Sequence, residues 1–259
     1  LTTLGQNITA LEVNGTFDDC QDMVKTAFLD QEITTQKQLT SANSINVARW
    51  LPQMFYYFIA YRELKKHNKP LVISVPSGNF GNICAGLMAH QIGLPIDHFV
   101  ASTNINDVVP DYLKTGVYKP IKSSPTISNA MDVSQPNNWP RIQAMVDKGL
   151  FDADLLVGEA VDEEYTQGAM RKLASLGYVS EPHAAIAYRC LSKQLEEDEV
   201  GIFLGTAHPA KFRETVENVL GQPIRLPQPL VDVSSKEGLE SELENSYEAL
   251  KAHMFSILK

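Results

Sequence analysis

The stretch SGNFGN, residues 77–82, places glycine and asparagine where a run of apolar residues gives way to a helical pattern. Gly78 and Gly81 allow the backbone a positive φ and leave space on one side of the loop. Backbone amides that turn inward at the start of the following helix favour a dianionic phosphate, and Asn79 and Asn82 could add donors. The loop therefore predicts, with equal weight, a phosphate cradle or an ordinary tight turn. It matches neither a Walker loop nor the GxGxxG pattern.

A second candidate group follows the last predicted strand, in the sequence GTAHPAKF. Thr206 offers a neutral hydroxyl to a ligand heteroatom, but it also suits the N-cap of the helix that Pro209 begins, and the cap is the favoured interpretation. His208 has the chemistry for proton transfer, although a structural role is commoner for a single histidine at a strand end. Glu181, close to His183 in EPHAAIAY, is predicted to cap its helix because an acidic group suits the positive end of the helix dipole.

The segment SANSIN clusters small polar side chains immediately before a helix. Ser41, Asn43 and Ser44 are sufficient to cap that helix, and they also resemble a small polar pocket. The helix itself is predicted over residues 43–66, and Pro52 should kink or restart it. Its many aromatic side chains are expected to pack in the core.

The elements that would position these groups alternate between strands and helices. Strands are predicted at residues 8–13, 71–75, 97–103 and 200–206. The first helix follows Thr16, with Asp19 at capping-box spacing. This alternation predicts an α/β fold with a mostly parallel sheet covered by helices on both faces. Ligands of such sheets bind beyond the carboxyl ends of the strands, which points to the loops after Val75, Ser102 and Leu204.

Two stretches lie outside this alternation. The polar, proline-punctuated region from Asn104 to Pro140 is predicted to be a long functional loop or a domain excursion. Residues 234–258 show a charged amphipathic pattern and are predicted to form a C-terminal helix.

The composition argues against several classes of partner. The 259 residues carry 22 Lys and Arg against 31 Asp and Glu, a formal net charge of −9, so we expect neither a nucleic-acid partner nor an anionic membrane surface. No apolar run is long enough to span a bilayer, and the first residues do not read as a signal peptide. Three separated cysteines, with no CxxC or HxxxH pair, indicate a reduced cytoplasmic protein without a metal site.

Seven segments together resemble one family, the bacterial threonine synthases. They follow one another across the chain up to about Pro229 and read GTFDDCQDMVKTAF, SANSIN, VPSGNFGN, TNINDVVP, SNAMDVSQPNNWPR, EPHAAIAY and GTAHPAKF. The family belongs to the fold-type II pyridoxal-phosphate enzymes, so the resemblance implies the large domain of the tryptophan synthase β-like fold and pyridoxal 5'-phosphate as cofactor. It also implies conversion of O-phospho-L-homoserine and water to L-threonine and phosphate.

The resemblance implies roles for individual residues. The cofactor phosphate would be held by the loop residues Gly78, Asn79, Phe80, Gly81 and Asn82. Thr206 would face the pyridine nitrogen, and a hydroxyl partner would leave that nitrogen largely unprotonated. The substrate would lie near Ser41, Asn43, Ser44, Asn104 and Asp107.

The Schiff-base lysine of the family lies in a Phe-Lys-Asp context, and this sequence contains no Lys-Asp pair. We therefore expect that lysine upstream of residue 1, no catalytic residue within this chain, and no activity from the chain by itself. The chain is expected to be the C-terminal portion of a longer enzyme, with a large cofactor-binding domain over residues 1–230 and a helical extension over residues 231–259. We expect a cytoplasmic monomer or homodimer without a nucleic-acid or membrane partner.

Three other functions are weighed against this one. Another fold-type II enzyme, such as a serine or threonine dehydratase, is disfavoured by the asparagine-rich loop and the SNAMDV segment. A catalytically inactive domain that binds pyridoxal phosphate or another phosphorylated ligand is the second alternative. A nicotinamide-binding domain ranks third because the glycine pattern of such domains is missing.

Overall fold

We describe residues 2–257 of a computed structural model of the chain. Within them the strands are β1 (Leu11–Val13), β2 (Leu71–Pro76), β3 (His98–Thr103), β4 (Leu156–Ala160), β5 (Val200–Phe203) and β6 (Ser241–Leu243). The α-helices of the same residues are α1 (Phe17–Leu29), α2 (Gln31–Thr34), α3 (Trp50–Leu64), α4 (Gly81–Gln91), α5 (Val108–Thr115), α6 (Trp139–Asp147), α7 (Glu163–Ser175), α8 (Pro182–Gln194), α9 (Arg213–Leu220), α10 (Gln228–Val231) and α11 (Tyr247–Ile257). No helix of this described part combines the length and the apolar character needed to cross a bilayer.

Tertiary contacts divide the chain into two compact units. One unit contains the residues up to Thr40 together with those from Leu226 onward, and the other comprises Ser41–Arg225. This division differs from the one expected at residue 230, because β1 pairs in parallel with β6 and places an early and a late segment in the same unit. The expected helical extension is also interrupted, since β6 precedes α11, and its residues 258 and 259 lie outside the described ones.

The first unit is organised around α1. Thr16 Oγ1 accepts a hydrogen bond from Asp19 N at 3.2 Å, and Asp19 Oδ2 accepts one from Thr16 N at 2.7 Å. The capping box predicted from the sequence is therefore confirmed. Between α1 and α2, Asp30 accepts a hydrogen bond from the Tyr247 hydroxyl, and Lys251 Nζ lies 2.8 Å from Asp30 Oδ2. These contacts join α11 to the beginning of α2.

The second unit contains a four-stranded parallel sheet in the order β4-β3-β2-β5. Side chains of β2 alternate between its two faces. On one face Ile73 packs in a core with Tyr57 of α3 and Ile83 of α4. On the other face Val72 packs with Ile186 of α8. The predicted α/β fold, a mostly parallel sheet with helices on both faces, is confirmed.

Several elements of this unit differ from their prediction. The helix expected over residues 43–66 begins only at Trp50, after a 3₁₀ turn at Val47–Arg49. Pro52 therefore lies in the first turn of α3, where its missing N–H is not needed, and does not interrupt the helix. The sequence LVGEA of β4 was not predicted as a strand, because glycine and glutamate interrupt its apolar run. The predicted loop over residues 104–140 contains α5 and the start of α6.

Candidate cofactor site

The loop SGNFGN joins β2 to α4, and its backbone differs from the one expected. Phe80 adopts the left-handed conformation, with φ at 60°, whereas neither Gly78 nor Gly81 has a positive φ. The two glycines are required by close packing instead. A Cβ atom at Gly78 would lie 2.4 Å from Ala130 O, and one at Gly81 would lie 2.5 Å from Ser44 Cβ. The positive φ expected at the two glycines is wrong, whereas the space expected on one side of the loop is confirmed by these close approaches.

The helix α4 begins without a side-chain cap, since its N-cap residue is Phe80. The phenyl ring is buried and packs edge-on against Trp139, with 5.9 Å between ring centroids. The first helical bond of α4 runs from Cys84 N to Phe80 O. Within the described residues, the amides of residues 81–83 make no hydrogen bond. Free amides at a helix N-terminus favour an anionic ligand.

Asn79 fixes the loop to the start of α6. Its Oδ1 accepts hydrogen bonds from Asn137 N and Nδ2, both at 3.1 Å, and its carbonyl accepts one from Asn138 Nδ2 at 2.8 Å. Arg141 extends this linkage, donating to Asn138 Oδ1 at 2.7 Å and to Ser44 O at 2.9 Å. Asn79 is therefore placed as a residue that holds the loop, and its contact with the cofactor phosphate stays a prediction.

Asn82 lies in the first turn of α4 and receives hydrogen bonds from two tyrosines of α3. Tyr57 Oη donates to Asn82 Oδ1 at 2.7 Å and to Asn82 O at 3.0 Å. Tyr56 Oη donates to the same Oδ1. The sequence assigned both tyrosines to core packing, and no local pattern indicates that their hydroxyls meet an asparagine 25 and 26 residues later.

A cavity of about 750 Å³ opens beyond the carboxyl ends of β2 and β5. Three of the residues predicted to bind the cofactor meet in its wall: Gly78, Asn82 and Thr206. The rest of the wall is formed by Gln53, Tyr56, Ile59, Ala60, Glu63, Pro76, Ala130, Met131, His183, Leu204 and Gly205. Two of the three loops predicted to meet a ligand, those after β2 and β5, line the cavity. The loop that directly follows β3 does not contribute to this wall.

Thr206 does not cap the helix that follows it, so the favoured interpretation of this residue is wrong. The cap is His208, whose Nδ1 accepts a hydrogen bond from Ala210 N at 3.1 Å. Thr206 Oγ1 makes no hydrogen bond to the described part of the chain, and the residue lies in the cavity wall. Its hydroxyl is therefore available to a ligand heteroatom.

A buried Glu–His pair stands at the start of α8. Glu181 accepts hydrogen bonds from His183 N at 2.8 Å and from Ala184 N at 2.7 Å, so its predicted capping role is confirmed. Glu181 also contacts Nδ1 of His183, while Nε2 of that ring accepts a hydrogen bond from Ala130 N at 3.2 Å. A neutral ring with its proton on Nδ1 satisfies both contacts. The pair thereby fixes the segment that faces Gly78.

Asn104 belongs to a buried polar network and not to the cavity wall. Its Nδ2 donates to Asp132 Oδ1 at 2.9 Å, and Asn106 Nδ2 donates to the same oxygen at 3.0 Å. Thr126 donates to Asp132 from its hydroxyl at 2.8 Å and from its backbone N at 2.9 Å. A charged acceptor with four donors holds the loop after β3 against the segment that leads to Ala130 and the cavity.

The other residues predicted near the substrate also lie outside the cavity wall. Ser41 Oγ donates to Asn43 Oδ1 at 3.0 Å, so these two side chains satisfy each other. Ser44 packs against Gly81. Asp107 is partly buried before α5 and makes no capping hydrogen bond. Their contact with a substrate stays a prediction.

The cavity wall, formed entirely by described residues, contains no lysine. Lys211, next in sequence to the GTAHPA segment, places its Nζ over the ring of Phe212, 5.5 Å from the centroid.

Near the amino-terminal ends of β3 and β5, ligand atoms of Asp97, His98 and Glu199 lie within 4.8 Å of one another. We assign no metal to these three residues, because only three ligand atoms converge and the side chain of Asp97 is half exposed.

The chain belongs to the pyridoxal-phosphate dependent enzyme family, whose model matches residues 1–204. Within this family, the similar proteins described below are threonine synthases. A model described as the C-terminal part of threonine synthase matches residues 184–254.

Individual relatives give the same result. The threonine synthase of Serratia marcescens is 54% identical over 229 residues, which are 88% of this chain and 53% of that relative. The crystal structure of threonine synthase from Escherichia coli is 48% identical with a TM-score of 0.95, covering 99% of this chain and 60% of that one. The structure of pyridoxal-phosphate-bound threonine synthase from Brucella melitensis is 30% identical with a TM-score of 0.83, covering 97% and 60%. The chain spans about half the length of the curated relatives it matches.

The residues of the cavity suit the cofactor that the family name states. A phosphate group needs donors without partners, and the free amides of residues 81–83 supply them at the positive end of the α4 dipole. Gly78 and Asn82 line the cavity on this side, and Thr206 offers its hydroxyl from the loop after β5. The fit therefore rests on an uncapped helix end beside an open, largely apolar cavity whose wall contains Asn82 and Thr206.

Proposed function

We propose that the protein containing this chain is a threonine synthase, which converts O-phospho-L-homoserine and water to L-threonine and phosphate. The observation that carries the proposal is identity of 47–54% to six threonine synthases over at least 88% of this chain. A dehydratase is not favoured, since these six relatives are each described as a threonine synthase.

The residues of this chain would bind and orient the cofactor. The amides of residues 81–83, with Gly78 and Asn82, would hold its phosphate, and Asn79, Phe80 and Gly81 would keep the loop in shape. Thr206 would present a neutral hydroxyl to the pyridine nitrogen, so no carboxylate would be available there to keep that nitrogen protonated. When bound, pyridoxal phosphate supplies an electron sink that allows protons to leave carbon atoms of an amino-acid substrate.

The buried network around Asp132 would hold in place the segment that leads to Ala130 in the cavity wall. Asn104 is best explained as a residue that positions the segment leading to Ala130, because its Nδ2 already meets Asp132 and Ser128. We also propose that the protein is cytoplasmic, consistent with its three unpaired cysteines, and that it works as a monomer or homodimer.

An assay of the protein that carries this chain tests the proposal. With O-phospho-L-homoserine as substrate, we expect equal amounts of inorganic phosphate and L-threonine. Release of ammonia and an oxoacid from L-serine or L-threonine, without threonine synthesis, would identify a dehydratase instead. A protein that binds pyridoxal phosphate but turns over neither class of substrate would be the inactive binding domain.

A further inference from the structure

The amide of Asn82 is held by two neighbouring side chains of α3. Tyr57 Oη donates to Asn82 Oδ1 at 2.7 Å, and Tyr56 Oη donates to the same oxygen. The two phenol rings are stacked, with 4.9 Å between their centroids, so both hydroxyls reach one atom from one side. Asn82 itself lies in the cavity wall, and so does Tyr56.

Both phenols are hydrogen-bond donors over the whole physiological range. Burial raises the pKa of Tyr56 to about 12. Burial also raises the pKa of Tyr57 well above its ordinary value, because its side chain is completely enclosed. A carbonyl oxygen has two lone pairs, so two O–H donors occupy Asn82 Oδ1 fully. Turning the amide over would replace this shared acceptor with an N–H₂ donor and take from the Tyr56 hydroxyl the acceptor that it has here.

This arrangement leaves one polar atom of the side chain unused. Asn82 Nδ2 donates to no acceptor within residues 2–257. An amide whose oxygen is held on the α3 side directs its N–H₂ group away from α3. In the first turn of α4, that donor adds to the free backbone amides of residues 81–83.

We propose that Tyr56 and Tyr57 are positioning residues, which fix the Asn82 amide so that its Nδ2 donates to the phosphate group of the cofactor. The inference deepens the proposed function, and it rests on the assignment of this cavity to the cofactor. Neither tyrosine touches the phosphate; they act through Asn82 by setting which end of its amide faces the anion.

The packing role of the two tyrosine rings can be tested separately from the role of their hydroxyls in positioning Asn82. Tyr57 packs edge-on against Phe99, with 6.3 Å between centroids, and its ring lies 2.8 Å from the place that a Cβ on Gly86 would occupy. Tyr→Phe substitutions keep the rings and remove only the hydroxyls. Tyr61, on the same helix, packs against the same core and donates no hydrogen bond to a described residue, so Tyr61→Phe is a matched control.

The test measures cofactor affinity, with pyridoxal as a probe that lacks the phosphate. The cofactor-free form of the whole protein is titrated with pyridoxal 5'-phosphate and, separately, with pyridoxal, and the absorbance change gives each Kd. We expect the double variant Y56F/Y57F to bind pyridoxal 5'-phosphate with a Kd about tenfold higher than wild type. Without the two hydroxyls the Asn82 amide is no longer held in place, and its hydrogen bond to the charged phosphate becomes weaker. Pyridoxal affinity should stay within about twofold of wild type, and Y61F should change neither Kd.

Asn82→Ala completes the comparison. If the tyrosines act through Asn82, adding Y56F to N82A should raise the Kd for pyridoxal 5'-phosphate by less than about twofold further. The effects of substitutions at coupled residues do not add. Unchanged affinity in the double tyrosine variant, or equal weakening of both ligands, would overturn the proposal. If Y57F does not fold, Y56F with N82A gives the same test. A protein that binds the cofactor but makes no threonine would remove the proposed function and leave this measurement valid.

Discussion

Gly78 marks the place where the loop after β2 comes closest to the segment that contains Ala130. Ala130 O would lie 2.4 Å, and Met131 Cα 3.1 Å, from a Cβ at this position. Both atoms belong to the backbone, so a side chain here cannot be accommodated by rotating a neighbour. The close approach brings Ala130, Met131 and Gly78 together in the cavity wall.

We expect Gly78→Ala to lower the free energy of unfolding by about 1–3 kcal/mol, because the loop or its neighbour must move. Urea denaturation followed by circular dichroism measures the change. Gly168→Ala is the control, since Gly168 lies in α7 and a Cβ there meets no atom within 4 Å. That variant should gain about 0.5–1 kcal/mol through helix propensity. Equal stability of Gly78→Ala and wild type would contradict the close packing described here.

Local signals identified the residues of the loop but not how they work. Gly78, Asn82 and Thr206 could be selected because strand, loop and helix patterns bracket them. The left-handed residue proved to be Phe80, and the contacts of His183 and the two tyrosines come from elements distant in sequence. Such contacts depend on packing across the fold, which no periodic pattern encodes.

At the scale of elements, the clearest agreement is the start of α1. Thr16 and Asp19 exchange hydrogen bonds there, and residues with capping chemistry act within one turn of their own sequence position. The strand β4 shows the opposite case. Gly158 interrupts its pattern, yet a Cβ there would lie 2.7 Å from Pro110 Cα, so the glycine is required by the packing of α5 on the sheet.

We expect Thr16→Ala to destabilise the first unit by about 1 kcal/mol, because Asp19 N at the start of α1 loses the hydroxyl oxygen that caps it. Thermal unfolding and hydrogen exchange of peptides covering residues 17–29 report the change. Thr26→Ala is the matched control: Thr26 is exposed on the same helix, and its hydroxyl only donates back to Asp22 O at 2.8 Å. Faster exchange in Thr26→Ala than in Thr16→Ala would argue against the cap.

At the scale of the whole molecule, the first unit depends on contacts between early and late parts of the chain. Asp30 is the centre of one such contact, and hydrogen bonds from Lys251 and Tyr247 lower its pKa to about 2. The folded state therefore holds this carboxylate more strongly ionised than the unfolded state, where its pKa is close to 3.8. The stabilisation is complete above about pH 4 and is lost as the pH falls towards 2.

We expect acid to loosen α11 in wild-type protein between about pH 4 and pH 2. In Asp30→Asn the contact of α11 with residue 30 is weakened already at neutral pH, and its loosening should respond less to pH in that window, since only Glu32 still pairs with Lys251. Hydrogen exchange of peptides from residues 247–257, corrected for intrinsic rates, measures both effects. Asp22→Asn is the control, because Asp22 forms only an exposed pair with Lys25 in the same unit. A wild-type-like acid profile in Asp30→Asn would contradict this role.

The pairing of β1 with β6 also affects the order of events during synthesis. Leu11 lies opposite Ser241, so 241 − 11 = 230 residues separate the partners. At roughly 5–20 residues per second, a ribosome needs roughly 10–50 seconds to make that stretch. The edge of β1 is without its partner for that whole interval, while β2 and β3 are made within a few seconds of each other. The unit that contains β1 is therefore completed only after the sheet of the second unit has been made, and β1 is the strand that a chaperone would need to shield until β6 emerges.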